Sequence, residues 1–507
     1  MLDDLENSLG TIAIGGSVLF FGMIVGILFG IVNQILLGRF LGVDNYGLFY
    51  LAYTLVTVLL PFSTLDLSSS LSRFLPFHFS RGEKDLVKSA IRFSELLVLF
   101  LSIFFSIILF LFSELISIEF FHNINLTIVL KYFAIGLPLF SISGILEGII
   151  RAFKGAKYKV AIFDLGTWII RIIIFVPFIV IGYSLFGAII SCLISLIFTI
   201  FTSVYIIHKK LFPDQSNYQI VPVVKKLMVF SWPITISTIV FLFASKADVI
   251  LLGYFLDSTA IGIYMPSLIV AQYVTMFALP FIYMFLPVIT ELFSKRKFDT
   301  IESLFKSASK WIFLLVLPIS IYILLFPREV ITLLYGSDYS GGYLSLIILT
   351  IGLSISVFTG MAVCILICGG YTKMNLAVEV IAAITNVSLN LVLIPMYGII
   401  GAAISVSAFY FTRNFVSLIF VYKATKIHAF DKSYIRIAFS GMIIFVLGFF
   451  LKTQIFPFLS TTISAIIIGL MIFSLYLVLI WVSRCLDKND RYIINLIIRR
   501  IRANIKL

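Results

Sequence analysis

Lys246 and Asp248 stand two residues apart inside a long apolar stretch, FLFASKADVILLGYF, where an ionised side chain needs a partner or water. A charge at the centre of a bilayer costs roughly 3 kcal/mol or more, so such residues face a protein interior or a water-filled cavity. A desolvated ammonium suits a phosphate, which makes Lys246 the first candidate for ligand binding. Arg171 lies near the middle of another apolar run, where its stem reaches no headgroup, and so implies a water-filled cavity; Arg413 is a further candidate. Ser63, Asp66, Ser70 and Arg73 are spaced three, four and three, and at about 100° per residue they fall on one helical stripe that avoids lipid. Asp66 is its deep member and is expected in a cavity; Arg73 either joins it or ends the helix at the headgroups. Ser231, Thr235, Thr238 and Ser245 form a second stripe, and Lys246 and Asp248, which flank it, are expected to pair with other helices rather than with each other. Asp164 and Glu379 are expected to pair with neighbouring basic loops. Gly22, Gly26 and Gly30, four residues apart, form a small-residue row of the kind that lets helices approach closely.

Other chemistries lack their residues. His78, His122, His208 and His428 stand singly, and Cys364 and Cys368 are four apart on one helix with no second pair to complete a zinc set. No G-x-x-x-x-G-K phosphate loop occurs, so ATP hydrolysis by that route is excluded. The outward connections are too short for an external catalytic domain. An enzyme is therefore not expected, nor a bound cofactor or metal.

The elements that must position the charged residues follow from hydropathy. Of 507 residues, 61% are hydrophobic and 12% charged, about half the charged share of a soluble domain. Apolar runs of ~20 residues recur along the chain, each long enough to cross a hydrocarbon core of about 30 Å as a helix. They lie at 11–37, 48–72, 92–112, 127–150, 158–181, 185–207, 228–252, 264–290, 310–327, 343–368, 374–394, 398–422, 436–452 and 457–483. The fold class is all-α: a polytopic membrane protein of about fourteen spans. The opening MLDDLENSLG lacks the basic head of a signal peptide, so the first run is expected to be retained. With a cytoplasmic N-terminus, 30 of the 37 basic residues fall on inward connections or the tail, four outward and three within spans. That asymmetry orients the protein with both ends in the cytoplasm. It also accounts for the net charge of +13. The basic residues are dispersed over seven segments, which excludes a nucleic-acid face and leaves membrane lipid, anionic on the inner leaflet, as a partner.

The spans repeat. LGRFLGVDNYGLFY at 37–50 and LGYFLDSTAIGIYM at 252–265 match at a shift of 215 through Leu37, Gly38, Phe40, Leu41 and Gly47. The same shift pairs Gly155 with Gly370, Asp164 with Glu379, and Asn33 with Asp248; a shift of 214 pairs Tyr183 and Gly187 with Tyr397 and Gly401. A unit of six helices, being even, gives parallel halves with a site expected between them. The expected domains are a six-helix lobe at 1–210, a second at 211–428, and a helix pair with a basic tail at 429–507.

These repeated segments, with KADVILLGYF and LIPMYGIIGAAIS, resemble the polysaccharide (O-antigen type) flippase family, part of the superfamily that also holds multidrug exporters and lipid II flippases. The resemblance covers about residues 10–425 and implies a two-lobed carrier with a central hydrophilic cavity. Such a carrier moves a lipid-linked oligosaccharide or polysaccharide precursor across the cytoplasmic membrane by alternating access, its lipid tail remaining in the bilayer. On that likeness Lys246, Arg171, Arg73 and Arg413 would neutralise a diphosphate, Asp66 or Asp248 would bind a coupling H+ or Na+, and glycan assembly enzymes become candidate partners. Two rivals stand: a cation-coupled multidrug exporter, although the first span carries Asn33 and Gln34 but no carboxylate, and a membrane glycosyltransferase or glycan ligase, for which no outer catalytic set is found.

Overall fold

The computed structural model describes residues 2–153, 155–211, 221–222, 224–276, 288–357, 361–429, 433–455 and 461–482. Its helices are α1 (Leu2–Leu41), α2 (Val43–Thr64), α3 (Leu67–Phe79), α4 (Lys84–Leu111), α5 (Asn125–Ala152), α6 (Thr167–Ile181), α7 (Ser184–Ile206), α8 (Val224–Phe255) and α9 (Ser258–Met276). Then come α10 (Phe298–Leu325), α11 (Pro327–Tyr335), α12 (Tyr343–Val357), α13 (Met361–Cys368), α14 (Thr372–Tyr397), α15 (Ile399–Thr425), α16 (Ser433–Phe450) and α17 (Thr461–Val482). The described residues form no strand, and 13 helices are long and apolar enough to cross a membrane. These correspond to the first thirteen expected runs, and α17 occupies the place of the fourteenth. The protein is a multi-pass helical membrane protein.

The second run departs from expectation. It is not one helix over 48–72 but two, α2 and α3, because Leu65 and Asp66 both adopt left-handed backbone (φ 45°, ψ 32°). The local residues explain the break. Ser63 and Thr64 both donate their hydroxyls to the carbonyl of Leu60, and Ser69 donates to the Asp66 carboxylate at 2.8 Å. Such side-chain bonds compete with helix continuation. The expected stripe is thereby split: Ser63 turns to Ser141 of α5 at 2.8 Å, while Asp66 and Ser70 face α8.

Near the N-terminal ends of α2 and α9 the two repeats meet backbone to backbone. A Cβ on Gly47 of α2 would lie 1.8 Å from the carbonyl oxygen of Ser258, and one on Gly262 of α9 would lie 2.0 Å from that of Val43. Gly47 and Gly262, like Val43 and Ser258, differ by the shift of 215, so the crossing is reciprocal. Around it Tyr339 donates to the Gly38 carbonyl at 2.6 Å, and Asn123 donates to Ser258 at 3.2 Å. Ser258 in turn donates to Asp44. Arg39 donates to the carbonyls of Leu333 and Leu334 at the C-terminal end of α11, where a cation is favoured.

Away from that crossing the two repeats are less alike. α8 runs along α2 and α3, held by Ser231 to Ser70 (2.7 Å) and Thr235 to the Leu65 carbonyl (2.7 Å). The counterpart pair, α1 and α9, scarcely approaches among the described residues. α1 instead packs on the fifth expected span through its glycine row: Gly22 faces Val160, Gly26 Asp164 and Gly30 Trp168. Both series step by four, so small residues on one helix admit the side chains of the other.

Candidate functional site

Two basic side chains stand deep within candidate spans and form no ion pair among the described residues. Arg171 on α6 and Lys246 on α8 each lie about 14 Å from the C-terminal ends of their helices, at ~1.5 Å per residue. Both are half-buried, and among the described residues neither forms an ion pair. Lys246 makes no hydrogen bond; Arg171 has one long contact from Nε to Ser195 Oγ at 3.5 Å and lies 4.9 Å over the Trp168 ring. The phenols of Tyr50 and Tyr53 are within electrostatic reach of its guanidinium. The nitrogens of both cations remain accessible rather than sealed in protein. At this depth lipid cannot satisfy them, so an open polar space is the physical solution.

Beside Lys246 a second arrangement lies fully buried. Asp248 accepts from the Tyr264 hydroxyl at 2.8 Å through Oδ2, while Oδ1 has no partner. Asn386 of α14 donates to the Ala244 carbonyl at 2.6 Å and accepts from Asn390 at 2.8 Å, which leaves Asn390 Oδ1 buried and unpaired as well. α8 and α14 run in the same direction, so Asn390, one turn beyond Asn386, is level with Asp248, one turn beyond Ala244. Among the described residues each of these two oxygens is a buried acceptor without a hydrogen-bond partner, which costs about 1–3 kcal/mol. Asn33, which matches Asp248 in the repeat, is also buried with both side-chain polar atoms unpaired.

The remaining candidates are placed otherwise. Arg413 is not a free cavity cation. Its Nε lies 2.9 and 3.0 Å from the two Glu379 oxygens and its Nη2 2.7 Å from one of them, with the guanidinium 4.8 Å over Phe241. Glu379 thus finds its base in the adjacent span rather than in a loop, since α14 and α15 pack as a pair. Asp164 pairs with Lys159 at 2.5 Å. Asp66 accepts from Thr238 at 2.9 Å in addition to Ser69, which makes it part of the seam between α3 and α8. The side chain of Arg73 lies outside the described residues.

A family scan identifies what carries this geometry. Residues 12–293, more than half of the chain, match the family model described as Polysaccharide biosynthesis protein. The chain belongs to that family. Among relatives of this family member, a membrane protein of Methanocaldococcus jannaschii is 24% identical over 463 residues, covering 85% of this chain and 88% of the relative. The "Probable low-salt glycan biosynthesis flippase Agl15" of Haloferax volcanii is 28% identical over 192 residues, 36% of this chain and 40% of the relative. The fold is shared with the lipid II flippase MurJ in an inward closed conformation, at TM-score 0.69 and 18% identity over 92% of this chain and 98% of MurJ. It is also shared with an inward-facing multidrug resistance MATE family transporter of the MOP superfamily, at TM-score 0.67 and 15% identity over 79% and 94%.

For this family member, inspection of charged residues alone misses Asn390, Tyr264 and Tyr53. The four-residue spacing of Asn386 and Asn390 was the available signal for the first. The outer clasp of Arg39 was also missed, although the repeated LGRF and LGYF segments marked its place.

Proposed function

We propose that this protein is a flippase that carries a lipid-linked oligosaccharide or polysaccharide precursor across the cytoplasmic membrane by alternating access, with both termini cytoplasmic and no catalytic step. The observation that carries the reading is the pair of unpartnered cations at mid-membrane depth, Arg171 in one half and Lys246 in the other, in a member of the polysaccharide biosynthesis family. A diphosphate held between them would draw the halves together, as charge neutralisation in a low-dielectric space is strongly favourable. The halves are taken as lobes at 1–210 and 211–428, followed by a helix pair and tail at 429–507. The sparse contact between α1 and α9 among the described residues is where a lateral exit for a lipid tail is placed, so that only the polar head enters the cavity. Asp248 with Asn390 is the preferred seat for a coupling H+ or Na+, and glycan assembly enzymes are the partners that would supply the substrate.

The test is the leaflet distribution of lipid-linked oligosaccharide in cells with and without the chain. Accumulation on the cytoplasmic leaflet in its absence, restored by wild type but not by Lys246→Ala or Arg171→Ala at equal membrane levels, is expected. An unchanged distribution in cells lacking a redundant transporter would overturn the proposal. Because a multidrug transporter shares the fold, drug efflux measured in the same cells separates the cation-coupled exporter reading.

A further inference from the structure

Around Arg171 the polar groups have a character that a diphosphate alone does not require. Trp168, beneath the guanidinium, is seated against α1 where Gly30 leaves room: a Cβ at that glycine would lie 3.6 Å from the indole. The Tyr53 ring is braced edge-on by Phe133 and Phe140, with centroids 6.1 and 5.8 Å away. Tyr50 donates to Gln34 Oε1, which fixes that end of the amide and leaves its NH2 group to other partners. Among the described residues Trp168 Nε1, the Tyr53 hydroxyl and the Gln34 NH2 group have no hydrogen-bond partner, and none of them is sealed off. Unpaired donors are thus combined with flat aromatic walls about one cation, at a depth where water is available only through a cavity.

We propose that Trp168, Tyr53 and Gln34, gathered round Arg171, form a subsite for the sugar ring next to the phosphate, with Arg171 holding the phosphate itself. The proposal rests on the flippase reading and says which half reads the glycan. A pyranose presents one face rich in C–H groups and a rim of hydroxyls, so it needs an aromatic wall and hydrogen-bonding groups in the same place. A lipophilic cation would meet Arg171 as a like charge, and a bare diphosphate could accept from the indole N–H and phenol O–H but would make no use of the ring faces. Lys246, with no ring or amide contact of its own, is left as the second phosphate contact.

Trp168 is one of four tryptophans, which permits a direct test. The full chain carrying Trp232→Phe, Trp311→Phe and Trp481→Phe, held in lipid nanodiscs, reports Trp168 emission alone. It is titrated with lipid-linked oligosaccharide extracted from cells that depend on this chain, and with the same lipid diphosphate stripped of its sugars. The glycosylated lipid is expected to shift or quench the emission at saturation. The stripped lipid is expected to compete for binding without that change. Equal responses to both lipids, or no response to a bound glycolipid, would overturn the subsite. In cells, Trp168→Leu is expected to raise the half-saturating substrate level about tenfold, and Trp168→Tyr, which keeps a ring, less than about threefold. Wild-type behaviour of Trp168→Leu would overturn the subsite while leaving the flippase reading intact. Absence of both binding and flipping by the wild-type chain would overturn the reading itself.

Discussion

Replacing Gly47 by alanine should open the outer side of the protein. The added Cβ would lie 1.8 Å from the Ser258 carbonyl oxygen, against the 3.4 Å at which ordinary contact begins, and the obstacle is backbone rather than a movable side chain. α2 and α9 must therefore part by about 1.5 Å where they cross. Overpacking of this kind costs about 1–3 kcal/mol. Against the closed crossing, that cost shifts its ratio to the parted state by roughly 5- to 140-fold. The assay is oxidative cross-linking between Asp44→Cys and Ser258→Cys, with and without Gly47→Ala. Yield and transport should both fall, and Gly262→Ala should act alike because its Cβ would lie 2.0 Å from the Val43 carbonyl oxygen. Gly144→Ala, whose Cβ meets nothing within 4 Å, is the control. Unchanged cross-linking and transport in both variants would refute the view that this backbone crossing closes the outer side.

The ion pair of Arg413 and Glu379 is expected to be structural: Arg413→Leu strands a carboxylate that is only 4% exposed and should cost about 3–5 kcal/mol, measured by thermal unfolding in detergent. The double variant Arg413→Leu/Glu379→Leu should recover most of that loss; equal instability of single and double variants would count against it. Thr235→Val removes the donor to the Leu65 carbonyl exposed by the helix break and should cost about 1–3 kcal/mol, whereas Thr235→Ser keeps the bond and should lose less than about 1 kcal/mol. Similar melting of the two variants would show that the hydroxyl does not hold the seam.

Helix number and the class of protein were legible in the sequence because a bilayer imposes them. Backbone groups in lipid must bond within helices, and runs of ~20 apolar residues leave no other solution. The glycine row of α1 was legible for the same reason, since spacing by four survives in any regular helix. Periodicity failed at Leu65 and Asp66 because it assumes a continuous helix, and there hydroxyl groups of neighbouring residues compete for the backbone. Charge counting singled out Lys246, Arg171 and Arg413 alike. Only packing distinguishes them: α14 brings Glu379 to Arg413, whereas among the described residues no carboxylate forms an ion pair with the other two. The repeat matched Gly47 with Gly262 in the sequence, yet their meeting across the molecule depends on how two distant helices cross. Hydropathy and periodicity are properties of local chain and solvent, and the sequence by itself determined them. Partnership between side chains two hundred residues apart is decided by tertiary packing, because the free energy of an ionised or hydrogen-bonding group in a membrane depends on which neighbour, if any, arrives beside it.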